Sequence, residues 1–481
     1  MTCKRYLVGT MSHSAPEKTK IVTAIVIGAG CRGSGYASYA LCDRHPFKVI
    51  GVAEPRDDFR NKFVDKYKIP KENIFKDWKD AAQKEKIADC VIICTQDKLH
   101  KEPAVAFAKL KYHILLEKPM APTEGECREI VKTCKSEGVL LQVCHVLRYS
   151  PWAMKIKEII DSGRIGDVVN IQHLEPVGHW HFAHSYVRGN WHKESDSSSS
   201  LLAKCCHDLD LINYWMGPKN RCEKISSFGK LSHFTKEDKK CCHDLDLINF
   251  WMGKNRCEKI SSFGNLSHFS HEHKPKGAAS RCLDCPSSIE RVCPYSAKKV
   301  YLEKIANGHK GWPLSILHSS PDIENITELL KTGPYGKCVY DCDNDVMSNQ
   351  VVNMQFKNGA TASMTMIAFT EAICDRKVTV FGTKGELQCH GAGHSLVLYD
   401  FTRGDHDRID TTAKMMKGLS GHGGADFYCM DSFVEAIVQN DPEKIRTGPD
   451  ETFYSHMLVF AAEKARKETK VVSMAPDGTF T

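Results

Sequence analysis

Ile21-Val22-Thr23-Ala24-Ile25-Val26-Ile27 runs directly into Gly28-Ala29-Gly30-Cys31-Arg32-Gly33 and then into Ser34-Gly35-Tyr36-Ala37. The first stretch is a run of apolar and β-branched residues with the length of a buried strand, and the last has the small residues of a helix start. The glycines between them build an anion site. Gly28 permits a sharp turn, Gly30 lets backbone N–H groups approach a pyrophosphate, and Gly33 lets helix pack on strand. The residues between them, Cys31 and Arg32, belong to the same expected cofactor contact. A second apolar strand, Phe47 to Ala53, ends on Glu54, twenty-one residues beyond Gly33. That is close to the spacing of the carboxylate that accepts the ribose hydroxyls of NAD. A lone glycine pattern is common; strand, turn, helix and strand-end acid together predict a dinucleotide site. Arg56 keeps NADP open, because a guanidinium there can hold a 2′-phosphate, unless it is a solvated loop charge.

The bulk numbers set the class. A chain of 481 residues exceeds one ordinary core, and 42% hydrophobic with 26% charged residues is the composition of a soluble globular protein. The formal charge of +7 is small for this length and basic residues are interleaved with acids, so nucleic acid is not an expected partner. No apolar run reaches the roughly eighteen residues of a membrane span. Residues 1–20 are polar and irregular and read as a disordered extension without a secretory signal. Twenty-two cysteines in that setting point to free thiols in a reducing compartment, and the cytoplasm is the expected location.

Strands and amphipathic helices alternate through residues 21–148, the expected dinucleotide-binding domain, so an α/β parallel sheet with both faces covered is predicted. Ligands bind beyond the carboxyl ends of such strands, where Thr95, Gln96, Glu117 and Lys118 stand. In Glu117-Lys118-Pro119 the proline keeps Lys118 out of helix and is compatible with a cis bond. An ammonium fixed at that rim is placed to exchange a proton with a substrate hydroxyl beside a nicotinamide. The plainer reading is a surface lysine in a loop.

The set GAGCRG (28–33), TQDKLHKEPA (95–104), LLEKPMA (115–121) and HVLRYSP (145–151) resembles the Gfo/Idh/MocA family of NAD(P)-dependent oxidoreductases. The resemblance implies an N-terminal Rossmann parallel sheet and, over 149–481, a C-terminal α+β domain on a large, open, mostly antiparallel sheet whose flat face supports oligomer contacts. It implies a catalytic role for Lys118, and a cofactor side lined by Thr95, His100 and Glu117. It also implies a substrate-facing histidine at the start of a helix, here His207, with an aspartate four residues earlier. That aspartate is missing: Ala203 stands there, with Lys204 next, so Lys204 is taken as a second catalytic candidate.

Residues 205–234 and 241–269 are near-copies, CCHDLDLINYWMG recurring as CCHDLDLINFWMG and RCEKISSFGKLSHF as RCEKISSFGNLSHF. Each is a helix pattern followed by a strand pattern. The continuous helical context of the first copy favours His207 over His243, and only one copy is expected to fit the strand order of a sheet. His145, Arg148, Tyr149, His184 and Trp191 are the expected substrate contacts. His179 and His181 would share a face in a strand, but His179, His181 and His184 lack a carboxylate at ligand spacing, which favours polar contacts over a metal. Cys282, Cys285 and Cys293 have metal-ligand spacing; a structural zinc with a fourth ligand among His271, His273, Cys338 and Cys342 competes with reduced thiols in a packed loop. A metal on Cys205, Cys206 and His207 would need a bend in the helix. Asn358-Gly359 and Gly382 to Gly385 predict hairpins. Gly421 to Asp426 is either a loop closing over a polyol, with His422 and Asp426, or a plain helix entry. Ser197 to Ser200 reads as a flexible connector.

The function this supports is hydride transfer between NAD, or NADP, and a sugar, cyclitol or related polyol. The rivals are a redox-assisted glycosidase that returns its NAD unchanged and a catalytically decayed nucleotide-binding regulator. A homo-oligomer is expected.

Overall fold

A computed structural model describes residues 20–42, 44–216, 222–227, 259–266, 268–389, 395–412, 419, 421–475 and 477–481. The extension expected over 1–20 lies outside them except for Lys20, and so does His243 in the second helix copy.

The first sheet takes β1 (Val22–Ile27), β2 (Phe47–Ala53), β3 (Ile74–Phe75), β4 (Cys90–Ile93), β5 (His113–Leu116) and β6 (Leu141–Val143). All pairs are parallel, in the order β3-β2-β1-β4-β5-β6. The strands read as unbroken apolar runs because both faces are covered. Ile25, Val91, Ile93, Ile114 and Leu116 enter one core, whereas their neighbours Val26, Cys90, Ile92 and Leu115 enter another. The order reverses between β1 and β4, which opens a crevice at their carboxyl ends.

Among the described residues the second sheet has ten strands, in the order β15 (Asp405–Asp410), β14 (Ser395–Asp400), β13 (Gly385–Cys389), β12 (Lys377–Gly382), β7 (Val168–Pro176), β11 (Thr361–Ile367), β10 (Asn349–Phe356), β8 (Cys222–Ser227), β16 (Val471–Ser473) and β9 (Lys259–Asn265). Its inner strands are β7 (Val168–Pro176), β10 (Asn349–Phe356), β11 (Thr361–Ile367) and β12 (Lys377–Gly382). β7 is parallel to β11, and the remaining pairs are antiparallel, as expected of an open mixed sheet. Residues of β10 to β12 alternate between buried and half-buried, so one face makes core and the other stays open. The turn at Gly359 (φ 81°) joins β10 to β11.

Three local expectations are corrected. First, both copies of the duplicated strand enter the sheet: β8 (Cys222–Ser227) and β9 (Lys259–Asn265) flank β16 (Val471–Ser473), with Ile225 and Ile260 both opposite Val472. Second, His179–Phe182 is a helical turn continued by a wide one over Ala183–Arg188, so His179 and His181 are not on a strand. Third, Ser197 to Ser200 is buried and bonded. Among the described cysteines, Cys222 is disulfide-bonded and the others are free thiols.

The helix Pro449–Lys467 supports the rim of the first sheet from below. Its buried His456 donates from Nδ1 to the Thr452 carbonyl (2.7 Å) and accepts at Nε2 from the Met120 amide (2.8 Å), next to the cis Lys118–Pro119 bond. Both nitrogens are satisfied only in the neutral tautomer, and burial pulls the imidazole down to about 4. The unfolded chain therefore takes up this proton below about 6.5 while the folded chain resists until about 4. His456 should thus make stability fall by about 1.4 kcal/mol per pH unit as pH drops through that window. Urea unfolding of His456→Gln at several pH values should show a shallower loss than the parent; equal slopes would refute the assignment.

Candidate active site

The cradle lies where β1 meets α1 (Cys31–Ala37). Gly28 has φ 89°, and a Cβ there would sit 2.6 Å from the Cys94 carbonyl oxygen. A Cβ on Gly33 would lie 2.0 Å from the Gly28 carbonyl oxygen, so only glycine lets α1 approach β1 this closely. Gly30 opens α1, whose first-turn amides have no acceptor within the helix. The cradle therefore fits a pyrophosphate. At the end of β2, the buried Glu54 carboxylate accepts from the Ala29 amide (2.9 Å) and from Arg56 Nε (2.7 Å) and Nη2 (3.0 Å). Arg56 is thus an ion-pair partner, stacked on Phe59 (3.8 Å), and not a free loop charge.

From the end of β5 rises the chemistry-bearing rim. Glu117 is buried; Oε1 accepts from Arg32 Nε (2.6 Å) and the Tyr36 hydroxyl (2.9 Å), and Oε2 accepts from the Lys118 amide (2.7 Å). Burial would raise this carboxyl, but Arg32 and Lys118 outweigh it and hold it below its ordinary value. The Lys118 ammonium donates to the Ala203 carbonyl (2.5 Å) in α8 (Ser200–Met216). Arg32 also forks onto Asp426 at 2.7 and 3.1 Å, and Asp426 takes His422 Nδ1 at 2.8 Å. Against burial, Arg32 and His422 keep the Asp426 carboxyl far below the usual range.

A kink at Cys205 (φ −107°, ψ 19°) turns α8 just before His207. The buried His207 ring packs 5.3 Å from His422 and 6.1 Å from His145, centroid to centroid, and neither of its nitrogens has a hydrogen-bond partner. Burial first, then Lys118, His422 and His145, hold it well below 6.5 and therefore neutral. His145, Cys206 and His207 each bring a ligand atom within 4.8 Å of the others, whereas Cys205, which the sequence grouped with Cys206 and His207, is not among them. The neighbouring Lys118 ammonium opposes a cation there.

Other predicted residues are placed differently. Buried Arg148 pairs with Asp210 and donates to the Arg446 carbonyl (2.9 Å); Tyr149 bonds Thr447 Oγ1 (3.0 Å). Both are buried, and Asp210 also lies 3.9 Å from His145. His100 is buried and bridges the Pro119 (2.7 Å) and Thr95 (3.1 Å) carbonyls, so it joins two rim loops. Trp191 Nε1 approaches Asp97 Oδ2 at 3.2 Å, an acid that also takes Ser197 (3.0 Å) and Ser198 (2.5 Å). His184 meets the Tyr301 hydroxyl (2.8 Å), and burial and Arg188 bring it down to about 3. Cys31 Sγ lies 3.4 Å from Ser315 Oγ, in the short helix Leu314–Leu317 that follows Trp312. Trp312 packs on Trp180 (5.0 Å) and His181 (4.8 Å), an aromatic wall that the sequence signalled only by Gly311-Trp312-Pro313. Cys282, Cys285 and Cys293 line a separate cavity.

The oxidoreductase family GFO_IDH_MocA, NAD-binding Rossmann fold, matches residues 22–145, and its C-terminal alpha/beta domain matches 157–236 and 239–474. The chain belongs to the Gfo/Idh/MocA family. A 2,7-anhydro-N-acetylneuraminate hydratase of Escherichia coli is 33% identical over 138 residues, 29% of this chain and 36% of that protein. Inositol 2-dehydrogenase of Salmonella paratyphi B is 22% identical over 201 residues, 42% of this chain and 56% of that protein. The chain thus spans about a third to a half of the length of these curated relatives. Levoglucosan dehydrogenase, solved with NADH and levoglucosan, shares the fold at TM-score 0.62 and 14% identity, over 94% of this chain and 99% of that one.

Lys204 lies in a buried charged group. Its ammonium lies 2.7 Å from Cys374 Sγ and 3.5 Å from buried Glu175. Burial would lower it, but Cys374 and Glu175 raise it above its ordinary value, so it stays charged. Arg376 completes the group, bonding Asp208 and lying 3.2 Å from Glu175.

Removing the guanidinium that joins these elements strands two buried carboxylates. Arg32→Ala should lower stability by about 3 kcal/mol in urea unfolding. Adding Asp426→Asn should recover about 1 kcal/mol, because one unpaired charge is then gone. A second substitution that deepens the loss would refute the network.

Proposed function

We propose that this protein transfers hydride between a nicotinamide dinucleotide and a CH–OH carbon of a sugar, cyclitol or related polyol. The observation that carries this reading is the meeting of Lys118 and an unpartnered, neutral His207 at the crevice beside the glycine cradle. NAD, when bound, supplies the hydride acceptor; Gly28, Gly30 and Gly33, with the amides of Cys31 and Arg32, would hold its pyrophosphate, and Glu54 its ribose.

Lys118 is the acid/base group. Its ammonium, tethered by the Ala203 carbonyl, holds or gives up a proton at the substrate oxygen. His207 keeps both nitrogens open in the buried crevice, one to donate and one to accept, and so orients the reacting hydroxyl. Lys204 remains an ammonium and favours developing negative charge without releasing its own proton. Trp180, Trp312 and His184 support a wall for the apolar face of a ring, with Trp191 holding the adjoining loop through Asp97. The two relatives' names, a sialic-acid derivative and inositol, favour polyhydroxylated substrates.

The word hydratase in the first relative's name supports a second reading, in which NAD is returned unchanged within one turnover. A homo-oligomer through the open face of the second sheet and a cytoplasmic setting complete the proposal. No helix among the described residues is long and apolar enough to cross a membrane.

With a polyol and anhydro-sugar panel, steady NADH formation supports the dehydrogenase, and product without net NADH supports the second reading. Lys118→Ala should reduce kcat by about 10³-fold with NAD affinity nearly unchanged; full turnover in that variant would end the proposal. Because Arg56 neutralises Glu54, NAD is favoured over NADP only modestly. Arg56→Ala should weaken NADP binding by about tenfold and NAD binding much less, measured by fluorescence titration.

A further inference from the structure

Five cysteines gather away from the crevice. Cys282 and Cys338 sit on two short antiparallel segments: Cys282 N donates to the Gly336 carbonyl (2.9 Å), Cys338 N to the Ser280 carbonyl (2.8 Å), with Arg281 opposite Lys337. A turn over Cys282–Cys285 folds the second thiol back, with the Cys285 amide 3.4 Å from the Cys282 carbonyl. The turn after the helix Ser287–Glu290 does the same for Cys293, whose amide bonds the Glu290 carbonyl (3.1 Å). Cys282, Cys285, Cys293 and Cys338 then line one cavity, closed by apolar groups such as Ile289 and Tyr340, with Glu290 and Ser296 bonded to each other at its margin. The other sequence candidates are turned elsewhere. Cys342 Sγ donates to the Cys338 carbonyl (3.3 Å), His271 bonds Asp341 (2.9 Å), and His273 bonds Ser270 (2.9 Å).

An independent observation concerns charge. Arg188 is 3% exposed and donates to the Lys337 carbonyl from Nε (2.8 Å), and to the Tyr295 carbonyl (2.8 Å) and Cys282 Sγ (3.3 Å) from Nη2. Its Nη1 is buried without a partner, and among the described residues no carboxylate pairs with it. A buried guanidinium needs a counter-charge, and neutral thiols do not provide one. Four thiolates on a divalent ion, or on an iron–sulfur cluster, carry net negative charge and do.

We infer that Cys282, Cys285, Cys293 and Cys338, which line one cavity although no three of their sulfurs lie within 4.8 Å of one another, draw together on a thiophilic metal as a four-thiolate centre, with Arg188 as its charge partner. The C-x2-C turn, the proline after Cys285 and the proline after Cys293 fit such a knuckle. The centre is structural. It ties residues 280–293 to 336–338 and, through Arg188, to the turn that carries His184.

The test is elemental analysis of the full chain, purified with reductant and without chelator. About one zinc per chain identifies a single ion, and about four irons with equal acid-labile sulfide identify a cluster; either supports the site. After chelator treatment, cobalt(II) should restore an intense thiolate-to-metal charge-transfer band. Cys285→Ser should lower metal content at least tenfold while Cys342→Ser, outside the cavity, retains it. Should Cys285→Ser fail to fold, the cobalt band of the parent decides. Absence of metal after incubation with zinc and desalting, with no cobalt band, overturns the inference, as does full metal content in Cys285→Ser.

Discussion

The buried carboxylate of Glu117 is the constraint on which the crevice depends. A charge taken out of water is tolerated only when several donors meet it, and here Arg32, Tyr36 and the Lys118 amide all do. Those donors come from the helix after the glycine turn and from the rim that carries the reacting lysine. Arg32 then reaches Asp426, which opens the helix Ala425–Gln439, and Asp426 holds His422 against His207. Cradle, lysine and histidine are consequently fixed relative to each other by one chain of charge-assisted bonds.

Two lysines near the crevice are handled in opposite ways. Lys118 faces a backbone carbonyl, a neutral partner that orients the ammonium without neutralising it. Lys204, deeper, is matched by Glu175 within a group that also pairs Asp208 with Arg376 and His173. The charge of Lys118 and the burial of His207 act together to keep that imidazole neutral. The same charge argues against a cation on His145, Cys206 and His207 despite their convergence, whereas four thiolates on a divalent ion would offset the charge of Arg188.

Much of the fold was legible because it rests on local pattern. The alternation that sends Ile25 and Val26 into different cores, the spacing of the glycines and the turns at Gly359 and Gly382 are properties of short segments. Side-chain destinations were less legible. Arg148 and Tyr149 follow the rim motif in sequence, but nothing in that motif shows that residues nearly three hundred positions away, Arg446 and Thr447, bond them. Ser197 and Ser198 look like a linker, yet Asp97 gathers them. A hydrogen-bond partner distant in the chain leaves no trace in a local window.

The sequence by itself determined the wound sheet, the glycine cradle, the lysine rim and the duplicated helix–strand unit, because periodicity, turn chemistry and spacing act within a few residues of one another. Only the tertiary structure decided that Ala203 offers its carbonyl to Lys118, that both copies of the duplicated strand join the sheet, and that Asp426 and Arg32 meet. The reason is physical: burial and pairing of charge are set by which distant segments share a volume from which water is excluded.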